Sequence, residues 1–307
     1  MKMATPRYQL VDAKNALCYH LVSRCVRRGW LCGFDRVTGH DYSHRKEWLL
    51  SRLNQLGGAF SVDIYAYAIM SNHFHLVVFY DPTAPERWSD LEVVERWMRV
   101  SPPKRVDGSV DEALKQLRIT AVLQDPSQLS ALRTKLGSLS LFMKLLKQPI
   151  ARRANREDEC EGHFFEQRFY SAALLCEDAV VAAMAYVDLN AVRAKVARVI
   201  TDIEHASITE RMKTVFGDSE LQNTICPVIS GTGGGSRLRS LSLREYIKRL
   251  EVLTDQNSTF RAEMKFEKWR NQVASLKKRQ RVFGSKALIE LWNAARGWQM
   301  RESPLPE

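Results

Sequence analysis

The sequence predicts an α+β fold: an antiparallel sheet in the split order βαββαβ, with a tyrosine-bearing helix, a helical insertion and a helical C-terminal region. Two observations predict it. Strand-like and helix-like runs follow one another as strand, helix, strand, strand, helix, strand, helix. Between the second and third strands stand only Ser71 and Asn72, the spacing of a tight hairpin. The first six elements are those of a ferredoxin-like sandwich, which places the helices on one face of the sheet.

Each element has its own signal. "NALCYHLVSRCV" reads as a strand that ends in a basic turn, Arg27-Arg28-Gly29. In "HDYSHRKEWLLSRLNQLGG", Leu49, Leu53 and Leu56 recur at helical spacing, and Gly57-Gly58 supplies the stop. "SVDIYAYAIM" and "HFHLVVFY" are the hairpin strands. Residues 81–136 carry breakers such as "DPTAPERW" and "SPPKRVDG" around short helical pieces and read as an insertion. "SLSLFMKLLKQPIARRANRED" is helical, with Pro149 expected to kink or break it. "GHFFEQRFYSAALL" is a fourth strand, and "EDAVVAAMAYVDLNAVRAKVA" a strong helix. The domain reading is 1–206 as the catalytic unit, 207–236 as a linker containing "SGTGGGSR", and 237–307 as a basic helical region.

The chain of 307 residues has 46 Lys+Arg against 35 Asp+Glu, a formal charge of +11, which favours a polyanionic partner such as nucleic acid. No run is long enough to span a membrane, and "MKMATPRYQLVDAKN" lacks the apolar core of a secretory signal. The expected location is therefore cytoplasmic, with no membrane partner. Six cysteines without a C-x-x-C pair argue against a zinc knuckle and for free thiols.

The chemistry centres on "SNHFHLVV". On a strand, His73 and His75 project to one side while Phe74 faces away. Two such imidazoles can chelate a divalent ion, or they can be two polar positions on a half-buried strand. On the helix that follows the fourth strand, Val180, Met184, Val187 and Ala191 form a core face, and Tyr186, Asn190 and Arg193 share a polar stripe. The Asn190 amide oxygen can serve as a hard third ligand for a cation held by two imidazoles, which would put the Tyr186 hydroxyl one turn away. Toward the C-terminus, Lys277, Lys278, Arg279 and Arg281 make a dense basic patch near Trp269 and Phe283, read as a nucleic-acid contact.

These residues carry a resemblance. "YAIMSNHFHLVV" resembles the H-hydrophobic-H motif of the HUH superfamily of single-strand DNA nucleases. "YVDLNAVRAKVA" resembles the tyrosine helix of its single-tyrosine transposases. "CYHLVSRCVRRG" and "ANREDECEGHFFEQRFYSAALLCED" are similar to their first- and fourth-strand regions. The likeness spans most of 17–206 apart from the insertion, and is nearest to REP-associated tyrosine transposases and related insertion-sequence transposases. It implies His73, His75 and Asn190 as ligands of Mg²⁺ or Mn²⁺, Tyr186 as nucleophile and Arg168 as a DNA contact. Two positions depart from the pattern: Ala191 stands where many relatives have proline, and Tyr170 where they often have a basic residue. His163 is a spare candidate ligand. The full set of expected DNA contacts is Arg27, Arg28, Arg152, Arg153, Arg168, Arg193, Lys277, Lys278, Arg279 and Arg281.

The implied reaction is metal-assisted attack by Tyr186 on a phosphodiester of single-stranded, hairpin-bearing DNA, giving a 5′-phosphotyrosine and a free 3′-hydroxyl. The absence of a G-x-x-x-x-G-K-[ST] loop agrees with an ATP-independent exchange. Tyr186 can serve its own site or a partner's in a homodimer. Two other readings stand beside this one: a domesticated relative that binds palindromes without transposition, and an unrelated metallohydrolase using His73 and His75, for which Tyr186 would be dispensable. Trimming the C-terminal region is expected to weaken DNA affinity more than cleavage.

Overall fold

The computed structural model describes residues 6–26, 30–217, 224–232, 238, 241–254, 266–298 and 302–306. After a short turn of helix, α1 (Arg7–Leu10), come β1 (Leu17–Arg24), α2 (Arg45–Gly57), β2 (Val62–Ile69) and β3 (His73–Tyr80). The insertion supplies α3 (Ala84–Arg87), α4 (Asp90–Val100), α5 (Glu112–Leu123) and α6 (Pro126–Leu136). Then follow α7 (Leu139–Glu157), β4 (Tyr170–Leu174), α8 (Glu177–Asp188), α9 (Asn190–Arg193) and α10 (Ser207–Gly217). The C-terminal region holds α11 (Leu243–Thr254), α12 (Glu267–Ser275), β5 (Val282–Phe283) and α13 (Lys286–Ala294).

The sheet order is β2-β3-β1-β4-β5, and its first four strands pair antiparallel in the split βαββαβ order. The hairpin closes over Ser71-Asn72, with the Met70 amide donating to the His73 carbonyl at 2.8 Å. β5 was not foreseen. It pairs parallel to β4 and breaks the helix expected over 266–298 into α12, a strand and α13. The fourth strand is also shorter than its apolar run. Gly162–Phe169 runs irregularly beside the end of β1, tied by Val26 N–H to the Phe164 carbonyl at 2.9 Å and Glu166 N–H to the Arg24 carbonyl at 2.7 Å.

Helices cover both faces of the sheet. α2 and α7 fill one face, where Leu49, Leu53, Leu56, Phe142 and Leu146 meet Leu21, Phe74, Leu76 and Val78. The expectation of a one-sided sheet holds for these two crossover helices but not for α8, which lies on the opposite face. There the residues are small on both sides: Ala66, Ala68 and Ala172 of the sheet, and Ala179, Ala182, Ala183 and Ala185 of the helix, all buried. Small side chains let a helix approach a sheet closely, which brings polar groups at the end of the helix within reach of the strands. Two covered faces also explain why every residue of β2 is buried.

The insertion is an ordered helical layer. Ser89, Asp111 and Asp125 cap α4, α5 and α6 by accepting backbone N–H groups, and Val93, Val94, Met98, Leu132 and Leu136 join the α2–α7 core. Pro149 neither breaks nor ends α7. Proline removes the N–H that would satisfy the carbonyl four residues earlier; here Arg52 Nε donates to that Leu145 carbonyl at 3.2 Å.

The segment after 206 packs on the sheet as well. Asp63, buried in β2, accepts from Ser230 Oγ, Gly231 N, Thr232 N and Thr232 Oγ1 at 2.7–3.0 Å. A Cβ on Gly231 would collide with the Gly57, Phe60 and Val62 carbonyls. Residues 233–237 of the glycine-rich stretch lie outside the described residues. Tyr246, Leu250, Trp269, Val273 and Phe283 form one core with α8, so α11 and α12 make an outer layer over the tyrosine helix. Among the described residues, no helix is long and apolar enough to cross a membrane.

Candidate active site

The face of the sheet under α8 carries a polar corner. Strand pairing sets it out in rows: His73 opposite Arg24, His75 opposite Val22, and Val22 opposite Tyr170. His20, two residues before Val22, lies diagonal to His75, and its Nε2 meets His75 Nδ1 at 2.9 Å. The two rings lie nearly coplanar, edge to edge, with planes 16° and centroids 5.2 Å apart, and the His73 ring stands edge-on to His75 at 4.8 Å. Phe74 points into the opposite core, as the two-residue period requires.

Tyr186, near the end of α8, reaches this corner. Its ring lies 5.8 Å from His20 and 5.9 Å from His75, edge-on to both. Among the described residues, its hydroxyl has no protein hydrogen-bond partner, and it is not among the buried orphans. Tyr170, also near His20 at 6.3 Å, differs: its hydroxyl donates to the Gln280 carbonyl, and burial pushes its pKa up. Tyr186 is thus the tyrosine at the corner with a free oxygen. Arg193 stacks on it with Cζ 4.6 Å from the ring centre and donates to the Tyr186 carbonyl at 3.2 Å. Asn190 opens α9, one residue past a break at Leu189, and is half-buried with no partner for its amide nitrogen. The helix expected to reach Ala197 ends earlier, where Lys195 takes a left-handed φ of 57°.

Burial dominates the electrostatics. It holds His20 down at about 4. Burial, then Arg24, brings His73 to about 4. His75 lies well below the ordinary histidine value through burial first, then His20, His73, Arg24 and Arg193. All three imidazoles are therefore neutral near pH 7 and can offer a lone pair. His73 Nδ1 is engaged with Asn72 Oδ1 at 2.7 Å, which leaves Nε2 as its free nitrogen. His75 Nε2 is buried without a partner. An amide flip would place the Asn190 oxygen where its orphaned nitrogen lies. These neutral or orphaned donors fit a divalent ion. Among the described residues, no group of three or more His, Cys, Asp or Glu side chains is arranged to hold a metal.

A cavity of about 100 Å³ opens onto the corner, lined by His20, Arg24, His75, Tyr186 and the 277–279 segment. Lys277, Lys278 and Arg279 are exposed on its rim, carried there by the turn before β5. Arg281 stacks on Tyr170 at 5.0 Å. Trp269 and Phe283 do not belong to this rim; both are buried in the core behind it. Arg168 and His163 line a different cavity of about 580 Å³, between α7 and the 162–169 segment. His163 is exposed and lines this cavity, not the one at the histidine corner. Arg152 and Arg153 sit on α7, across the sheet from Tyr186, with Arg153 stacked on Trp48 at 3.8 Å. Arg27 and Arg28 lie outside the described residues.

Sequence reasoning missed His20 and Arg24. The signal was available: His20, Val22 and Arg24 alternate along β1 and so share a face. What sequence could not supply was the pairing of that face with His73 and His75.

No protein-family model matches the chain. No curated protein matches it. One solved structure that is similar is a REP-associated tyrosine transposase bound to a REP hairpin, with a TM-score of 0.37 and 8% sequence identity, covering 66% of this chain and 82% of that one. So slight a likeness fixes no chemistry, which rests on this chain's own geometry and motifs.

Proposed function

We propose that this chain is a DNA transposase or nuclease that cuts and rejoins single-stranded, hairpin-bearing DNA through a phosphotyrosine. The observation that carries the reading is the meeting of Tyr186 with the His20–His75 pair across two packed elements. A metallohydrolase using the histidines alone would leave the position of Tyr186 unexplained.

A phenol is protonated at neutral pH and by itself is a weak nucleophile there. A divalent ion, Mg²⁺ or Mn²⁺, held by His73, His75 and Asn190 would act as a Lewis acid on a non-bridging phosphate oxygen. Arg193, on the Tyr186 ring, and Arg24 add positive charge beside the phosphate. Lys277, Lys278 and Arg279 hold the backbone of the strand at the cavity rim. Tyr186 Oη attacks phosphorus in line and the P–O3′ bond breaks. The tyrosine proton passes to solvent, and the 3′-oxygen leaves as a hydroxyl after protonation. Attack by another 3′-hydroxyl reverses the step, joins new ends and frees the tyrosine. One phosphodiester is exchanged for another ester, so ATP is not consumed.

Covalent trapping tests this reading. Labelled single strands copied from the DNA flanking the gene are mixed with protein and Mg²⁺ or Mn²⁺, then run on a denaturing gel. Label is expected to migrate with protein, and to be lost in Tyr186→Phe and with chelator. Tight hairpin binding with no adduct would favour the domesticated binder, and an adduct that survives in Tyr186→Phe would refute the proposed nucleophile.

A further inference from the structure

The His20–His75 contact goes beyond the chelating pair. It joins two buried imidazoles, each 3% exposed, from neighbouring strands. A bond between two neutral rings has one proton, so one ring donates and the other accepts. The geometry permits two arrangements. If His20 Nε2–H donates, His75 carries its own proton on Nε2, where it is buried and unpartnered. A buried N–H without an acceptor gives up its hydrogen bond to water and gains none in return. If His75 Nδ1–H donates, Nε2 carries a lone pair instead, and an under-satisfied acceptor is the better tolerated of the two. His20 Nδ1, the other nitrogen of the acceptor ring, is not among the buried atoms left without a partner.

We infer that His20 is a positioning residue: it accepts the Nδ1 proton of His75 and so turns the His75 Nε2 lone pair toward the corner shared with His73 and Tyr186. A ring nitrogen that ligates a metal is oriented by the hydrogen bond of its other nitrogen, and such partners raise affinity by fixing tautomer and direction. The consequence for ligand binding rests on the metal reading proposed above, while the direction of the hydrogen bond does not. The two ring planes lie only 16° apart with centroids 5.2 Å apart, a nearly coplanar, edge-to-edge arrangement in which an in-plane N–H of one ring meets the in-plane lone pair of the other.

Two measurements on the full chain separate the inference from the reading under it. In the metal-free protein, ¹⁵N-imidazole spectra assigned by single substitution report the tautomer of His75. Nδ1–H in the wild type, shifting toward Nε2–H in His20→Phe, is the expected result, and Nε2–H in the wild type would overturn the inference. Calorimetric titration with Mn²⁺ alone reports affinity. His20→Phe is expected to bind roughly 10- to 100-fold more weakly, with His20→Gln, whose amide oxygen can accept the same proton, recovering part of the loss. Wild-type affinity in His20→Phe, alongside lost binding in His73→Ala, would overturn the positioning role. Failure of the wild type itself to bind Mn²⁺ would instead sink the metal reading, and the wild-type spectrum would still decide the direction of the bond.

Discussion

Asp188 is the buried anchor of the tyrosine helix, two residues past Tyr186 and 1% exposed. Its carboxylate accepts from Ser207 Oγ at 2.5 Å and from the Tyr246 hydroxyl at 2.6 Å, joining α8 to α10 and α11. Burial raises its pKa, and Arg211 and the two hydroxyls pull it back. Tyr246→Phe removes one hydroxyl and keeps the buried ring, so little apolar packing is lost. A hydrogen bond to a charged acceptor contributes roughly 1.5–3 kcal/mol, which sets an expected loss of about 2 kcal/mol. With a urea slope of roughly 3 kcal/mol/M, the unfolding midpoint falls by about 0.7 M at an unchanged slope. Ser207→Ala should cost a similar amount, and the double variant should depart from additivity because both hydroxyls serve one carboxylate. Adduct formation should slow in Tyr246→Phe even under conditions where the protein stays folded, because the end of α8 carries Tyr186. An unchanged urea midpoint in Tyr246→Phe, or strict additivity with Ser207→Ala, would refute the anchor.

Further outcomes follow from the corner and its rim. His20, His73 and His75 all titrate below the ordinary histidine value, so the folded protein binds those protons more weakly than the unfolded chain. Their contribution is intact above pH about 6.5 and is lost as pH falls toward about 4. For His20 alone the full effect is on the order of 3 kcal/mol. Asp188, with its pKa raised, acts in the opposite sense at the acid end. Thermal melts across that window should show the acid loss, and His20→Phe should flatten it. Replacing Lys277, Lys278 and Arg279 together by Ala should weaken single-strand binding at low salt and lower the slope of log K against log salt by about 2, from three contacts at ~0.7 each. An unchanged slope would remove this rim from the DNA path.

The C-terminal region bears on how such variants are read. Trimming it is expected to weaken DNA affinity more than cleavage. Tyr246, Trp269 and Phe283 also complete the core around α8, so trimming it would uncover the tyrosine helix as well as remove the basic rim. Point substitutions on the rim separate the two effects, and truncation does not.

The sequence by itself determined what depends on spacing along one element. The alternation of a strand sends His73 and His75 to one side and Phe74 to the other. The two-residue turn made the hairpin legible, and the helical period put Tyr186 on α8, although the break at Leu189 that sets Asn190 on α9 gave no such signal. The order of elements gave the split sheet. Tertiary structure decided everything that depends on which elements touch. His20 lies 55 residues from His75, and their contact depends on the β1–β3 register, which is set jointly by the hairpin and by core packing. The 277–279 segment reaches Tyr186 because two residues of β5 pair parallel to β4, a join too short for any periodic signal. α8 crosses the histidine face because alanines meet alanines there, and an alanine run reads in sequence only as helix propensity. Local periodicity named the groups that carry the chemistry; long-range packing chose their neighbours.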